Sequence, residues 1–297
     1  GMLRGAQEDK KTVLLEAHLD RIGLMVSEIT EEGFVKFRTL GGVDERILPA
    51  SEVYILGKKK CFGVIGALPP HLCGDSKDNE KGVKISDMLI DTGLTRKEAE
   101  QAFSVGDPIL LKADFCALLD GRVSSAALDN RAGMASVFKC LEIIDSTELD
   151  VNVCVAFTVG EELGLQGART LVDGQKVDFA VVIDVTHAKT ADSTHYDTFP
   201  LGSGAIICRG PNLHYEATNR IIDMAKNEGI PYEIEVAAGN TGTNAWALQI
   251  AGAGIPCALI SIPLKFMHTT VETADVQDIT NVGRLLAKVI QGGVSLD

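Results

Sequence analysis

Aromatic residues make up only 5% of this 297-residue chain, with a single Trp, so it offers few stacking platforms for sugar rings. Cysteine is sparse and unpatterned. The seven residues, at 61, 73, 116, 140, 154, 208 and 257, are odd in number and form no C-x-x-C pair. Several, such as Cys154 and Cys208, lie inside apolar runs, the usage of reduced, buried thiols and not of a disulfide framework. Basic residues are outnumbered, 28 Lys and Arg against 41 Asp and Glu. The resulting charge of −13 argues against nucleic acid or an anionic membrane as partner. No apolar run approaches the ~20 residues of a membrane span. No basic segment followed by an apolar one opens the chain, so the expected location is the cytoplasm. The opening Gly1-Met2 reads as a short remnant ahead of an initiator Met.

What is present is a soluble globular composition, 45% hydrophobic and 23% charged, long enough for one large domain or two of ordinary size. Thr12-Val-Leu-Leu-Glu-Ala17 reads as a short buried strand that ends in His18-Leu-Asp20. From residue 22 to about 119 the texture changes to short alternating segments broken by Gly41-Gly42, Gly57 and Pro69-Pro70. This predicts a β-rich, barrel-like insert. Within it, Thr95 with Glu98 three residues on predicts a capped helix to Ala102. From Ser124 onward, helical periods (131–144, 219–228, 244–250, 276–290) alternate with apolar strands (151–159, 179–184, 232–236, 257–262). Near-continuous apolar strands between helices predict an α/β fold, a mainly parallel sheet with helices on both faces. The expected domains are therefore 1–21 with 120–297, catalytic, interrupted by 22–119.

Ligands of open α/β sheets bind past the carboxyl ends of the strands, and charged residues collect there. His18 and Asp20 follow the first strand, Asp129 follows Ser124-Ser-Ala-Ala-Leu128, and Glu161-Glu162 follow 151–159. Asp184 closes 179–183, and His268 comes one loop after 257–262. A single acid at a strand end is commonly a helix cap; five such ends in one sheet are not. Two imidazoles and three carboxylates suit two borderline divalent ions, zinc, cobalt or manganese, held ~3.5–4 Å apart by a bridging carboxylate. Adjacent Glu161 and Glu162 repel each other unless something positive sits beside them. One would bind metal and the other would move protons; spacing alone leaves open which. His71, His187, His195 and His214 read as structural or solvated. Ser203, in Gly202-Ser-Gly204, has no recognisable His/Asp set, and that glycine pair does not follow the strand–turn–helix order of a nucleotide loop.

His18-Leu-Asp20, Ala127-Leu-Asp129-Asn-Arg-Ala-Gly133, Glu161-Glu162-Leu-Gly-Leu-Gln-Gly-Ala168, Val182-Ile-Asp184 and Pro263-Leu-Lys-Phe-Met-His268-Thr-Thr-Val-Glu272 occur in the order of one family. The chain resembles the glutamyl aminopeptidases over essentially its whole length, the Gly41-Gly42-Val-Asp-Glu-Arg46 stretch of the insert included. These are di-metal exopeptidases that include the tetrahedral aminopeptidases, and some members carry an endoglucanase label. The resemblance implies that Asp129 bridges two metals, with His18 and Asp184 on one, Glu162 and His268 on the other. It implies Glu161 as general base and Asp20 as the partner of the second ring nitrogen of His18. It further implies short peptides as substrates and a homo-oligomer, by family habit a dodecamer, with the insert restricting access or making subunit contacts.

Four departures stand out. Only 17 residues precede His18, where family members carry some tens. Arg21 stands where an acid is common. The family's Gly-Thr-Asp segment reads Thr241-Gly-Thr-Asn244, and its Arg before the last His is Lys265. Asn244 and Lys265 are therefore candidate substrate contacts. The rival readings are a non-catalytic member of the fold and a glycoside hydrolase. The latter needs two carboxylates about 5–10 Å apart and no metal, which adjacent Glu161 and Glu162 fit poorly.

Overall fold

The computed structural model describes residues 1–3, 10–69, 83–146, 149–174, 176–193 and 197–292, and the elements counted are those of these residues. The chain divides into two compact units: Gly1–Asp20, Phe115–Met267 and Val271–Asp297 in one, Arg21–Asp114 and His268–Thr270 in the other. In chain order the first unit begins with β1 (Met2–Leu3) and β2 (Thr12–His18). The second contains β3 (Gly23–Ile29), β4 (Val35–Leu40), β5 (Glu52–Leu56), β6 (Lys60–Ala67), β7 (Met88–Asp91), α1 (Arg96–Ala102) and β8 (Pro108–Leu111). The first unit then resumes with β9 (Cys116–Ala117), β10 (Arg122–Ser125), α2 (Leu128–Ile143), β11 (Asn152–Thr158), α3 (Gln166–Leu171) and β12 (Phe179–His187). It ends with β13 (Ala205–Arg209), α4 (Tyr215–Asn227), β14 (Tyr232–Val236), α5 (Asn244–Leu248), β15 (Cys257–Leu264), β16 (Glu272–Asp275) and α6 (Val276–Gly292).

The first unit is built on a seven-stranded sheet in the order β1-β11-β2-β12-β15-β13-β14. The pairs β11–β2, β2–β12, β12–β15 and β13–β14 are parallel; β1–β11 and β13–β15 are antiparallel. The sheet is thus α/β and parallel-rich. Strand alternation sends successive side chains to opposite faces. Val13, Leu15 and Ala17 of β2 pack with buried residues of α2, α4 and α6. Leu14 packs with α3 and α5 on the other face. Each fully buried Leu, Ile or Val there contributes about 1.5–3 kcal/mol. Being sandwiched on both faces is why these strands read as unbroken apolar runs.

The second unit is a closed antiparallel barrel, β3-β4-β7-β6-β5-β8. Leu24, Val26, Val35, Phe37, Val53, Ile55, Ile65, Ile90 and Leu111 fill it. Closure removes the exposed edges that short alternating strands would otherwise present. The capping box at α1 is present, with Glu98 Oε2 accepting from Thr95 N at 2.9 Å and Thr95 Oγ1 at 2.6 Å.

Beside the short β1, β9, β10, β16 and α3, which periodicity did not mark, two further elements differ from expectation. β12 continues to His187, so Asp184 lies inside a strand, opposite Ser261 of β15, and not at its end. β13, five residues between Gly204 and Gly210, carries too short an apolar run to be told from loop by periodicity. The predicted roles of His71 and His195 lie outside the described residues. No helix among the described residues is long and apolar enough to cross a membrane.

Asp278 holds the loop before β13. It is fully buried and accepts from Gly202 N and Gly204 N, both at 2.7 Å. Burial pushes its carboxyl up to about 6 despite those two bonds. The folded state therefore holds this proton more tightly than the unfolded chain. Its contribution to stability is complete below about pH 4, the usual aspartate value, and is lost as pH rises through about 6. The melting-temperature advantage of wild type over Asp278→Asn should shrink between pH 4 and 7. An advantage constant across that range would show that the shift is absent.

Candidate metal centre

β2 presents Leu14, Glu16 and His18 on one face, so the apolar strand delivers its imidazole from a buried base. His18 is 1% exposed. Its Nε2 lies 3.0 Å from Asp129 Oδ1 and 3.7 Å from Asp184 Oδ1. Its Nδ1 lies 3.2 Å from the backbone carbonyl of Asp20 and 3.5 Å from that residue's carboxylate. The nearer partner of the ring is thus the Asp20 main chain, not the carboxylate expected.

Asp129 stands at the entry to α2, where Ala127 takes a left-handed φ of 63° and Asp129 and Asn130, joined by a cis peptide bond, are not yet helical. Three contacts hold it. Asp129 N donates to Glu272 Oε2 at 3.2 Å, Asn130 Nδ2 donates to Ile183 O at 2.7 Å, and Gly133 N donates to Asn130 Oδ1 at 3.1 Å. Gly133 must be glycine, because a Cβ would fall 2.2 Å from Asn130 Oδ1. The Ile183 carbonyl immediately precedes Asp184, so Asn130 ties one carboxylate's backbone to the other's. Asp184 Oδ1 accepts from Val185 N at 2.9 Å.

Beyond Thr158 the chain turns through Gly160, at φ 76°, into Glu161-Glu162. The Asp20 carboxylate receives both backbone amides, Glu161 N at 3.2 Å on Oδ1 and Glu162 N at 3.3 Å on Oδ2. One residue therefore links the His18 ring to the acidic turn. Gly167 admits the close return of this turn, since a Cβ there would meet Val159 O at 2.3 Å. His268 lies in the 268–270 segment of the second unit, at φ 62°, with Nδ1 3.1 Å from the Gly42 carbonyl.

The electrostatics ask for a cation. Burial opposes a charge on His18, yet Asp129, Asp184 and Asp20 raise its pKa far above the ordinary imidazole value. Burial raises Asp184 against the pull of His18, while Asp129 adds repulsion. Burial, then Asp184, pushes Glu161 up to about 8. With Nδ1 turned to Asp20, the neutral tautomer aims its Nε2 lone pair between two carboxylate oxygens, which is repulsive unless a proton or a metal ion intervenes. His18, Asp129 and Asp184, all buried, offer three donor atoms within 4.8 Å of one another. Tetrahedral zinc with ~2.05 Å bonds sets its ligand atoms about 3.3 Å apart, and the 3.0 and 3.7 Å separations bracket that value. The donor set fits a borderline divalent ion.

Residues 1–285 match the model of the M42 glutamyl aminopeptidase family. The chain belongs to this family. It is 31% identical to the lysyl aminopeptidase of Pyrococcus furiosus over 94% of its own length and 81% of that protein's. An aminopeptidase structure from the archaeon Desulfurococcus kamchatkensis superposes with TM-score 0.88, at 31% identity, over 99% of this chain and 82% of that one. A Pyrococcus horikoshii peptidase described as assembling into a tetrahedron or a large octahedral shell gives TM-score 0.83 at 30% identity, over 97% and 85%. The protein is thus a peptidase-type hydrolase by family.

Two departures from the family pattern take on a place. Asn244, expected to meet substrate, is 1% exposed, and its amide is committed to Glu16 Oε1 and Thr158 Oγ1 at 2.8 and 3.0 Å. A side chain so enclosed is not presented to a substrate. Lys265 pairs through its backbone with Thr273 and keeps a half-buried side chain. His214 caps α4, accepting from Ala217 N at 3.2 Å. His187 lines a cavity of about 430 Å³ together with Thr190, Leu264, Phe266 and Met267.

Sequence reading overlooked Glu16, Asn130 and Glu272. A charged residue inside the otherwise apolar Thr12–Ala17 run was a usable signal for Glu16. Nothing local marks Glu272 as the acceptor of an amide 143 residues away.

Proposed function

We propose that this M42 member is a metal-dependent aminopeptidase that removes N-terminal residues from short peptides. The observation that carries the reading is the buried meeting of His18 Nε2 with the carboxylates of Asp129 and Asp184. His18 and Asp184 would hold one divalent ion, Glu162 and His268 a second, and Asp129 both; zinc or cobalt suits the donors best, manganese next. Such ions supply Lewis-acid polarisation of the scissile carbonyl and make a nearby water more acidic.

The chain's own residues do the rest. Asp20 orients His18 through Nδ1 and holds the Glu161-Glu162 amides, so that ligand and proton carrier keep one geometry. Glu161, left unligated, accepts a proton from the attacking water and returns it to the departing amine. Lys265 is the candidate contact for a substrate carboxylate. The 22–119 insert would restrict access to the site or make contacts in a homo-oligomer, and the shells described for the Pyrococcus horikoshii peptidase support the latter. The described cysteines are free, which suits a reducing cytoplasm.

The test is release of N-terminal residues from a panel of short peptides by full-length protein supplied with zinc or cobalt. Activity should appear with metal and vanish with a chelator. Absence of release across the panel under metal-replete conditions would reject the assignment. Chelator-insensitive cleavage of a polysaccharide would point to the glycosidase instead.

A further inference from the structure

One buried polar group close to the centre has no part in the reading above. Glu16, Thr158 and Asn244 are 0, 6 and 1% exposed and form a closed triangle. Thr158 Oγ1 donates to Glu16 Oε1 at 2.6 Å. Asn244 Nδ2 donates to Glu16 Oε1 at 2.8 Å and to Thr158 Oγ1 at 3.0 Å. The other oxygens, Glu16 Oε2 and Asn244 Oδ1, are buried without a hydrogen bond among the described residues.

The triangle joins three elements at the point where the site begins. Glu16 is two residues before His18 on β2. Thr158 is the last residue of β11, in register with His18, and its carbonyl accepts from Leu19 N at 2.7 Å. Three residues later comes Glu161. Asn244 opens α5, and its neighbour Thr243 caps that helix through Ala245 N at 3.3 Å. A shift at any corner therefore moves the end of β2, the end of β11, or both.

The chemistry of the corners is matched. The triangle already holds one buried acid, on β2. An Asp at 244, as the family pattern has it, would set a second carboxylate 2.8 Å from the first. Glu16 Oε1 now receives two donors, Thr158 Oγ1 and Asn244 Nδ2, and the same amide also serves Thr158 Oγ1. A carboxyl group offers at most one O–H where the amide has two N–H, so either Glu16 or Thr158 loses its donor. Leaving a buried polar atom unsatisfied costs more than the bond itself contributes.

We infer that Glu16 and Asn244 are a complementary pair of positioning residues that act through Thr158 to hold the His18 and Glu161-Glu162 strand ends at metal-binding spacing. The inference rests on the metal-dependent reading of the site. It assigns no contact with substrate to either residue.

The experiment is a swap in the full-length chain, with Asn244→Asp, Glu16→Gln and the double variant Glu16→Gln/Asn244→Asp. Three readouts are needed: melting temperature without metal, cobalt affinity by calorimetry with the cobalt visible spectrum, and kcat and KM on a cleaved peptide. Asn244→Asp should melt lower, bind cobalt about 10–100-fold more weakly, alter the cobalt spectrum, and lose kcat more than it raises KM. The double variant should recover all of these, cobalt affinity to within about threefold, since its inverted amide and acid restore the donors. A double variant no better than Asn244→Asp, or an Asn244→Asp protein indistinguishable from wild type, overturns the pairing. Should Asn244→Asp prove insoluble, soluble double variant supports the inference, and two insoluble proteins reject it. A wild type that binds no cobalt would overturn the metal reading instead, and the metal-free melting temperatures would still decide the pair.

Discussion

Glu161→Gln is expected to lower kcat by about 10²–10⁴-fold while metal content and melting temperature stay at wild-type values. The substitution keeps the size of the side chain and leaves the backbone amide on Asp20. What it removes is the ability to carry a proton. Burial and Asp184 hold this carboxyl high, at about 8, in the absence of ions, and bound cations would bring it down toward a value at which it accepts protons at neutral pH. A metal-bound carboxylate has too low a proton affinity for that duty, so neighbouring Glu162 cannot replace it. Glu162→Gln should show the reverse pattern, weakened metal binding and activity that excess metal partly restores. Steady-state kinetics alongside elemental analysis of the two proteins separates the roles. An active Glu161→Gln enzyme would remove the proton carrier from the mechanism; equal metal loss in both variants would assign the two acids one role.

Asp129→Asn should abolish turnover and raise the dissociation constant for metal more than 100-fold, beyond the 10–100-fold typical of residues that merely support ligands. Asp129 is buried and within 3.0 Å of the His18 nitrogen, and the proposed arrangement gives it to both ions. Asparagine preserves its volume and its amide bond to Glu272 but offers a neutral, weaker donor. The consequence can be read without turnover. At metal concentrations 100-fold above the dissociation constant, wild type gains about 2.7 kcal/mol of stability from binding. With affinity lowered 100-fold, the same solution stabilises the variant by only about 0.4 kcal/mol. Thermal melts with and without zinc measure that difference directly. A variant that keeps the full metal-induced rise in melting temperature would show that Asp129 is not a ligand.

Much of the fold was legible in the residues because burial leaves a local trace. The run at 179–183 is apolar on both faces, that at 12–17 is broken only by Thr12 and Glu16, and both read as buried strands. The capping box at Thr95 and the glycine-spaced turn after Glu162 are likewise local chemistry. Candidate ligands were found by the same route, as charged residues stranded at the ends of apolar runs. Asp184 shows where this route goes wrong. Its strand continues to His187, because a carboxylate facing a polar centre can sit inside a strand, and periodicity takes it for the end.

The sequence by itself determined the long buried strands and five of the helices, and which acids and histidines lack a reason to be in apolar surroundings. Only the tertiary structure decided who meets whom. That His18 stands 3.0 Å from Asp129, that one Asp20 carboxylate receives two amides of the acidic turn, and that Asn244 faces Glu16 across 228 residues of chain are facts of packing. The physical reason is that periodicity encodes each element's buried face but not the partner that covers it. Partners are chosen when sheet order and helix packing close together, and a buried donor settles on whichever acceptor that closure brings within reach.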